Sequence, residues 1–273
     1  MTRGEGSGSV RGAVRGTHAH ARERMRAGIL RAGNAQLDAR GPAALSVREI
    51  ARDLGVASSA IYRHVADRDA LLTLLVVAAF DELGDAVDRA LAEVDEDGVA
   101  PRAALTSSRA ALTALARTMR AWALAHPQRW ALVYGTPIPG YAAPAEQTTT
   151  PGTRAMVRLA EILAAGSLPG DAVDTASSGL VDELRTSIEE LDLTAEPVLL
   201  AEAIGTWSSL VGTVSAEVFG QLGPEIGLYG AELLDRWIAS TAARFGLEPD
   251  GLEHDGAVTD GLEHDGAVTD GER

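Results

Sequence analysis

The segment between Ser46 and Leu71 reads SVREIARDLGVASSAIYRHVADRDAL, and its apolar residues have a spacing that only short helices satisfy. They recur at i, i+3, i+4 and i+7, so that one face of a helix contains Val47, Ile50, Ala51 and Leu54. Gly55 follows directly, and glycine ends many helices because it adopts a positive φ without strain. A further helix is predicted over residues 58–64. Two short helices joined by a glycine turn predict a helix-turn-helix.

Polar residues at the ends of this segment predict where its helices begin. Ser46 and Glu49 have the spacing of a capping box, in which the serine hydroxyl accepts from the Glu49 N–H and the glutamate carboxylate accepts from the Ser46 N–H. Asp67 is a second predicted cap. It precedes a long helix whose apolar residues step by three or four positions to about Val94.

The remainder of the chain also shows helical spacing and no convincing strand. The sequence predicts a helix over residues 21–37, ended by Gly41-Pro42, and further helices over residues 101–125, 128–134, 153–165, 171–191, 196–221 and 226–245. Proline, glycine and threonine predict a loop over residues 135–152. The expected fold class is all-α, with a three-helix N-terminal unit over residues 21–66 and a helical bundle over residues 67–248.

Both ends of the chain have compositions typical of disorder. Residues 1–20 are rich in glycine and arginine and have no hydrophobic period, which predicts a disordered basic arm. Residues 249–273 contain DGLEHDGAVT twice in tandem, and so short and acidic a repeat cannot bury a core, which predicts a disordered acidic tail. A solvated tail is favoured over a metal site at His254 and His264, and no metal or cofactor is predicted.

The formal net charge of −15 is divided unevenly along the chain. Residues 1–70 hold 12 arginines against 7 acidic residues, whereas the rest of the chain holds 12 arginines against 32 acidic residues. A basic segment attached to an acidic body suggests a local surface for a polyanion such as nucleic acid.

Composition and motifs exclude several classes of protein. Without cysteine the chain has no disulfide, cysteine nucleophile or thiolate metal site. The first twenty residues lack the apolar core of a signal peptide, and no run of about 18 uncharged apolar residues occurs, so a cytoplasmic location is expected. No H-E-x-x-H, P-loop, G-x-S-x-G or dinucleotide-binding glycine pattern is present. An enzyme is not expected, and a helical-bundle enzyme is only a remote alternative.

The residues from Leu45 to Leu71 resemble the DNA-binding segment of the TetR family of transcriptional regulators. The likeness is carried by Ser46, Arg48-Glu49-Ile50-Ala51, Gly55-Val56, Ser58-Ser59, Ile61-Tyr62-Arg63-His64, Arg68 and Leu71. Three positions depart from the family pattern: Ala57 replaces a capping serine or threonine, Val65 replaces a phenylalanine and Arg68 replaces a lysine. The resemblance implies a helix-turn-helix that binds double-stranded DNA.

Residue chemistry at these positions suits a DNA surface. Small hydroxyls at residues 58 and 59 allow close approach to base edges in the major groove, and Arg63 could fork to a guanine or pair with a phosphate. The remaining polar residues suit phosphate oxygens. The predicted DNA-binding residues are Ser46, Arg48, Ser58, Ser59, Tyr62, Arg63, His64 and Arg68. Two roles remain open for four arginines near the N-terminus: contact with the minor groove or with phosphates, and ordinary solvation. These residues are Arg15, Arg22, Arg24 and Arg26.

The resemblance further implies a homodimer, formed by the last two long helices, and a small apolar effector that enters the helical body. Candidate interface residues are Trp207, Leu210, Val211, Leu234, Trp237 and Ile238, although such stripes could equally form core within one chain. Candidate effector-pocket residues are the large or adaptable side chains of the alanine-rich bundle, with plain core as the alternative: Met119, Trp122, Trp130, Tyr134 and Met156.

The body also resembles a subgroup of the family that has a Trp, His, Gly signature. Its traces are residues 126–141 and 207–220, but Val211 stands where the histidine is expected. The implied function is a ligand-responsive repressor, which binds a palindromic operator as a dimer and is released by the effector. An activator or a constitutive DNA binder of the same fold is the alternative, and the sequence does not separate them.

Overall fold

The computed structural model describes residues 8–97, 109–167 and 176–247, with side chains described from residue 20 to residue 94 in the first of these ranges. Within these ranges the chain is helical and contains no strand, so the predicted all-α class is confirmed. The acidic tail and the start of the helix predicted over residues 101–125 lie outside the described residues.

Eleven α-helices follow one another along the described ranges. They are α1 (Gly8–Arg40), α2 (Val47–Asp53), α3 (Ser58–Ile61), α4 (Arg68–Asp97), α5 (Arg109–Ala125), α6 (Pro127–Tyr134), α7 (Ala145–Ala164), α8 (Ser178–Glu190), α9 (Pro197–Val218), α10 (Gly223–Ile226) and α11 (Gly230–Arg244). Short 3₁₀ turns precede α2 at Pro42–Ala44 and α11 at Gly227–Tyr229.

The first hydrophobic core belongs to the N-terminal unit, which we call the head (residues 20–75). Its fully buried side chains come from α1, α2, α3 and the first two turns of α4. Ile61 and Val65 are both buried, as the sequence predicts. The valine at position 65 therefore fills its site with a smaller side chain than the phenylalanine of the family pattern.

Helix α1 begins well before the position predicted for it. The structure places residues 8–20 in the same helix as residues 21–40, so the prediction of a disordered arm is wrong from residue 8 onward. The glycines there contribute no hydrophobic period, but alanine and arginine favour helix and no proline interrupts the segment. Gly41, with a φ of 73°, ends the helix before Pro42 as expected.

The second core belongs to the body, which comprises α5 to α11 and most of α4. Helix α4 contributes to both cores: Leu71, Leu72 and Leu75 are buried in the head, whereas Leu83 and Val87 are buried in the body. Asp67 caps α4 as predicted, because its Oδ1 accepts from the Ala70 N–H over 2.8 Å. One continuous helix therefore joins the two units.

Helix α6 is the second element that joins the two cores. Its Leu132 packs against the head core, together with Ile138 and Tyr141 of the following loop. Its Trp130 is fully buried in the body core, and Tyr134 packs against that core. Alternate faces of a two-turn helix thus contact the head and the body.

The predicted loop over residues 135–152 is shorter in the structure, because α7 begins at Ala145. Pro151 lies within the helix, where it lacks one backbone donor. Gly152 explains how α7 packs here: a Cβ at this residue would lie 3.2 Å from Cε2 of Phe80 in α4. Helix α7 therefore begins two turns earlier than predicted and packs closely against α4 at Gly152, a contact that local sequence does not reveal.

Candidate functional site

The helix-turn-helix is shaped by a left-handed residue between α2 and α3. Gly55 has a φ of 66°, and the N–H groups of Gly55 and Val56 both donate to carbonyls of α2 over 3.0 Å. A residue with a Cβ would be strained at this φ. Helix α3 is shorter than predicted: it ends at Ile61, and residues 62–64 form turns rather than a continuation of the helix.

The predicted DNA-binding residues lie at the start of α2, in α3 and the turn after it, and at the start of α4. Five of them are exposed: Arg48, Ser59, Tyr62, Arg63 and His64. Three are partly buried, namely Ser46, Ser58 and Arg68. Ala57 provides no side-chain hydrogen bond at the start of α3, so the first N–H groups of this helix are left to other partners.

Ser46 caps α2, but only half of the predicted capping box forms. Its hydroxyl accepts from the Glu49 N–H over 3.3 Å, whereas the Ser46 N–H donates to Gln36 Oε1 of α1 over 3.0 Å. The Glu49 carboxylate instead pairs with Arg40, and the hydrogen bond from Arg40 lowers the pKa of Glu49. Tertiary partners from α1 therefore replace the local reciprocal bond and fix α2 to the end of α1.

Arg68 has a structural partner that the sequence does not indicate. Its Nη2 donates to the Pro42 carbonyl over 3.0 Å, which ties the start of α4 to the turn before α2. A guanidinium has five N–H donors, so this bond leaves others for a phosphate. The predicted role of Arg68 as a positioning residue at the edge of the DNA surface stays a prediction.

Two arginines of α1 lie close to the recognition segment. Arg22, Arg26 and His64 line an open cleft of about 490 Å³ on the head. The described side chains of Arg22, Arg24 and Arg26 are exposed, while that of Arg15 lies outside the described side chains. Arg22 and Arg26 of α1 therefore lie on the same side of the head as His64, and the acidic Glu23 also lines this cleft.

The candidate effector residues of α5 and α6 meet in what we call the aromatic cluster (Phe80, Trp122, Trp130, Tyr134 and Trp207). Trp130 is central: its ring centroid lies 6.5 Å from Trp122 and 4.4 Å from Tyr134. Tyr134 also contacts Phe80 and Trp207, at 5.9 and 6.1 Å. Met119 is fully buried in the same core, and Met156 is partly buried on α7.

Sequence reasoning did not assign Phe80 and Trp207 to this site. Phe80 belongs to the apolar stripe of α4, and Trp207 was expected at a subunit interface. Helical periodicity places each residue on an inward face, but it does not reveal which inward faces meet. Burial raises the pKa of the Tyr134 phenol, and neither Tyr134 Oη nor Trp122 Nε1 has a hydrogen-bond partner.

Three of the six candidate interface residues are in fact core of this chain. Leu210, Leu234 and Ile238 are buried within the body, so the prediction that they form a subunit interface is wrong. Helices α9 and α11 contact each other and α5, and α9 also packs against α7 and α8. Trp207, Val211 and Trp237 are partly buried. The large apolar side chains that remain exposed on this side are Ile204, Phe219, Ile226, Leu228 and Tyr229.

Comparison with known proteins shows which family has this arrangement. "Bacterial regulatory proteins, tetR family" matches residues 29–75, and "Tetracyclin repressor-like, C-terminal domain" matches residues 112–241. HTH-type transcriptional regulator Rv1816 of Mycobacterium tuberculosis is 39% identical over 222 residues, which cover 80% of this chain and 88% of that protein. This chain belongs to the TetR family.

The chain is also similar to three further proteins. HTH-type transcriptional regulator Mb1846 of Mycobacterium bovis shows the same identity and coverage. A solved structure of the candidate regulatory protein SCO4313 is 30% identical, with a TM-score of 0.63 over 82% of this chain and 98% of that one. A protein of unknown function from Rhodococcus sp. RHA1 is 25% identical, with a TM-score of 0.52 over 79% and 94%. The chain is thus a DNA-binding transcriptional regulator of the TetR family and not an enzyme.

Proposed function

We propose that this TetR family member is a ligand-responsive repressor, which binds a palindromic operator in the cytoplasm as a homodimer and is released by a small molecule. The observation that carries the proposal is the sharing of α4 and α6 between the two hydrophobic cores. A change in the packing of the body must move elements that also hold the head.

The DNA contacts divide by exposure and chemistry. Ser58, Ser59 and Arg63 lie in or next to α3 and are proposed to reach base edges, because the first residues of a recognition helix enter the major groove. Arg48, Tyr62 and His64 are exposed beside them and are proposed to bind phosphate oxygens. Ser46 and Arg68 are partly buried and already hydrogen-bonded, so they add phosphate contacts at the edge of the surface.

A second copy of the chain is proposed to cover the outer face of α9. This helix is apolar enough in length and composition to cross a membrane, yet only 33% of its most apolar window is buried in the chain. Ile204 and Phe219 are exposed on α9 and at its C-terminal end, and Trp237 of α11 is held beside α9 by a 3.0 Å bond from its Nε1 to Ser209 Oγ. A dimer would cover this face and present two recognition segments to half-sites about 34 Å apart.

Release by a ligand sets a condition on its affinity. A ligand that weakens DNA binding about 100-fold must bind the DNA-incompetent form more tightly by about 2.7 kcal/mol. The aromatic cluster is the proposed effector site, because α6 connects it to the head. Trp130 and Tyr134 of α6 belong to the cluster, whereas Leu132 of the same helix packs against the head core. A ligand bound between these rings is proposed to displace α6, because two of the five rings belong to this helix.

Selection of bound sequences from a random DNA library, followed by fluorescence anisotropy on the selected site, tests the proposal. We expect saturable binding that requires both halves of a palindrome and weakens with added salt. Equal affinity for the selected site and for a scrambled sequence would contradict the proposal. Transcription from a promoter that overlaps the selected site should fall when the protein is added, whereas a rise in transcription would identify an activator instead.

A further inference from the structure

The aromatic cluster contains two hydrogen-bond donors that the protein leaves unused. Among the side chains that the structure describes, four hold a buried polar atom without a partner, and two of these atoms, Trp122 Nε1 and Tyr134 Oη, belong to the cluster. Trp122 is only 7% exposed. Leaving a buried donor unpaired costs stability, and nearly all buried donors in folded proteins are paired.

The neighbouring tryptophan shows that this part of the body can satisfy such a donor. Trp130 Nε1 donates to Ser215 Oγ of α9 over 3.0 Å. Trp122 and Tyr134 flank Trp130 on either side, with no serine or carbonyl group in reach of their polar atoms. The two unpaired donors therefore differ from the indole N–H of Trp130, which belongs to the same cluster and has a partner.

The charged groups near the cluster are paired with groups of opposite charge, although the Nε of Arg129 has no hydrogen-bond partner. Arg120 in α5 forms two hydrogen bonds with Glu217, and Arg129 in α6 pairs with Glu82. His126, whose ring contacts Trp122, faces Glu82 at 3.5 Å. A charged ligand would find no free counter-ion among these groups, and burial of an unpaired charge is unfavourable. A neutral ligand fits the site better.

We propose that the Trp122 Nε1–H and Tyr134 Oη–H groups bind the effector, and that the effector is a neutral, planar, aromatic or conjugated molecule carrying hydrogen-bond acceptor atoms. The flat rings of the cluster favour a planar partner through stacking and edge contacts. An indole N–H only donates, so the ligand atom facing Trp122 must be an acceptor. This assignment rests on the ligand response under Proposed function and gives the ligand a chemical class.

Stability of the ligand-free protein provides the first test. Tyr134→Phe removes a buried hydroxyl that has no partner, so the midpoint of thermal unfolding should rise. Tyr141→Phe is the matched control, because the Tyr141 hydroxyl shares a 3.1 Å hydrogen bond with Thr73 Oγ1 and its loss should lower the midpoint. If Tyr134→Phe lowers the midpoint as Tyr141→Phe does, the hydroxyl is already satisfied and the proposal fails.

Binding of two small probes provides the second test. Quinoline and naphthalene have the same two-ring shape, but only quinoline has a ring nitrogen that accepts a hydrogen bond. Quenching of tryptophan fluorescence at pH 8, where quinoline is neutral, gives both dissociation constants. We expect quinoline to bind about five-fold more tightly than naphthalene to the wild-type chain. This preference should disappear in Tyr134→Phe or in Trp122→Phe and persist in Tyr141→Phe.

The outcomes separate this proposal from the proposed function. Equal binding of the two probes, a preference that survives both cluster substitutions, or no detectable binding of either probe would overturn the donor assignment. Operator binding by the wild-type protein without any probe is an independent measurement. If operator binding is palindrome-dependent but neither probe binds, the proposed function holds and the proposed ligand class is wrong. If operator binding is absent, the proposed function is itself wrong.

Discussion

Arg129 in α6 donates to Asp38 in α1 over 3.2 Å, so that the body is joined to the head by a charged hydrogen bond. The same guanidinium donates to Glu82 in α4 over 2.9 Å. Its side chain is only 14% exposed. One residue therefore connects three helices at the junction, and it lies on the helix that carries Trp130 and Tyr134 into the aromatic cluster.

Replacing this arginine should affect both stability and DNA binding. We expect Arg129→Gln to lower the free energy of unfolding by about 2 kcal/mol, because a partly buried charged donor is lost and two carboxylates lose their shared cation. Operator affinity should also fall, since the head is held less firmly. Urea unfolding and fluorescence anisotropy measure the two effects.

An exposed ion pair of the body is the matched control for this prediction. Arg117 pairs with Asp235 at 2.9 Å, but both side chains are more than half exposed. Arg117→Gln should therefore change the free energy of unfolding by less than about 1 kcal/mol. If Arg129→Gln has an equally small effect on stability and leaves DNA affinity unchanged, Arg129 does not link the two units.

The two arginines of the recognition surface should give different signatures. Arg63→Ala is expected to cost about 1–3 kcal/mol of operator affinity and to relax specificity at one base pair, as removal of a base contact does. Arg48→Ala should weaken binding to all sequences alike and flatten the dependence of log affinity on log salt by about 0.9. Arg185→Ala in α8 serves as the control. Uniform loss of affinity for Arg63→Ala would identify a phosphate contact instead.

Local signals in the sequence predicted the head well. The Gly55 turn, the Asp67 cap and the serine half of the capping box all appear in the structure. Each depends on residues within five positions of one another, so the sequence contains the whole interaction. The Glu49 carboxylate was predicted wrongly because its partner, Arg40, is nine residues away in another helix and competes with the local N–H.

Long-range packing limited what could be predicted for the body. Periodicity identified Leu210 and Leu234 as apolar faces of helices, but a core face and an interface face have the same spacing. Phe80 packs against Gly152 in the first turns of α7, although the two residues are more than seventy positions apart in the sequence. The junction formed by Arg129 has no sequence motif, since arginine at a helix surface is most often solvated.

Asp88 joins α4 to α7 and should make stability depend on acid pH. Its carboxylate accepts from Arg154 Nε over 3.0 Å and from Arg158 Nε over 2.8 Å. Burial opposes ionisation of Asp88, but the hydrogen bonds from Arg158 and Arg154 outweigh it and lower the pKa. We expect Asp88→Asn to lower the free energy of unfolding by about 2 kcal/mol at pH 7.

The pH dependence of this difference follows from the direction of the shift. A carboxyl with a lowered pKa in the folded state contributes its stability above the ordinary value of about 3.9 and loses it as pH falls through the folded value. The gap between wild type and Asp88→Asn in urea unfolding should thus be constant from pH 7 to about 5 and narrow below about 4. A gap that widens on acidification would contradict the ion-pair assignment.

The exposed face of α9 should hold the proposed dimer together. Ile204 is 40% exposed on this face, and a glutamate there would place a charge in an interface that excludes water. We expect Ile204→Glu to shift the mass measured by light scattering from a dimer to a monomer of about 28.4 kDa. Binding to a palindromic operator should fall at least ten-fold, because one chain reads only one half-site.

Leu124 on α5 provides the control, since it is 43% exposed and its replacement by glutamate changes size and charge in the same way. The Leu124→Glu variant should remain a dimer and bind the operator as the wild type does. Far-ultraviolet circular dichroism of both variants separates dissociation from unfolding. If Leu124→Glu dissociates the dimer and Ile204→Glu does not, the interface lies on α5 and the proposal that α9 forms it is wrong.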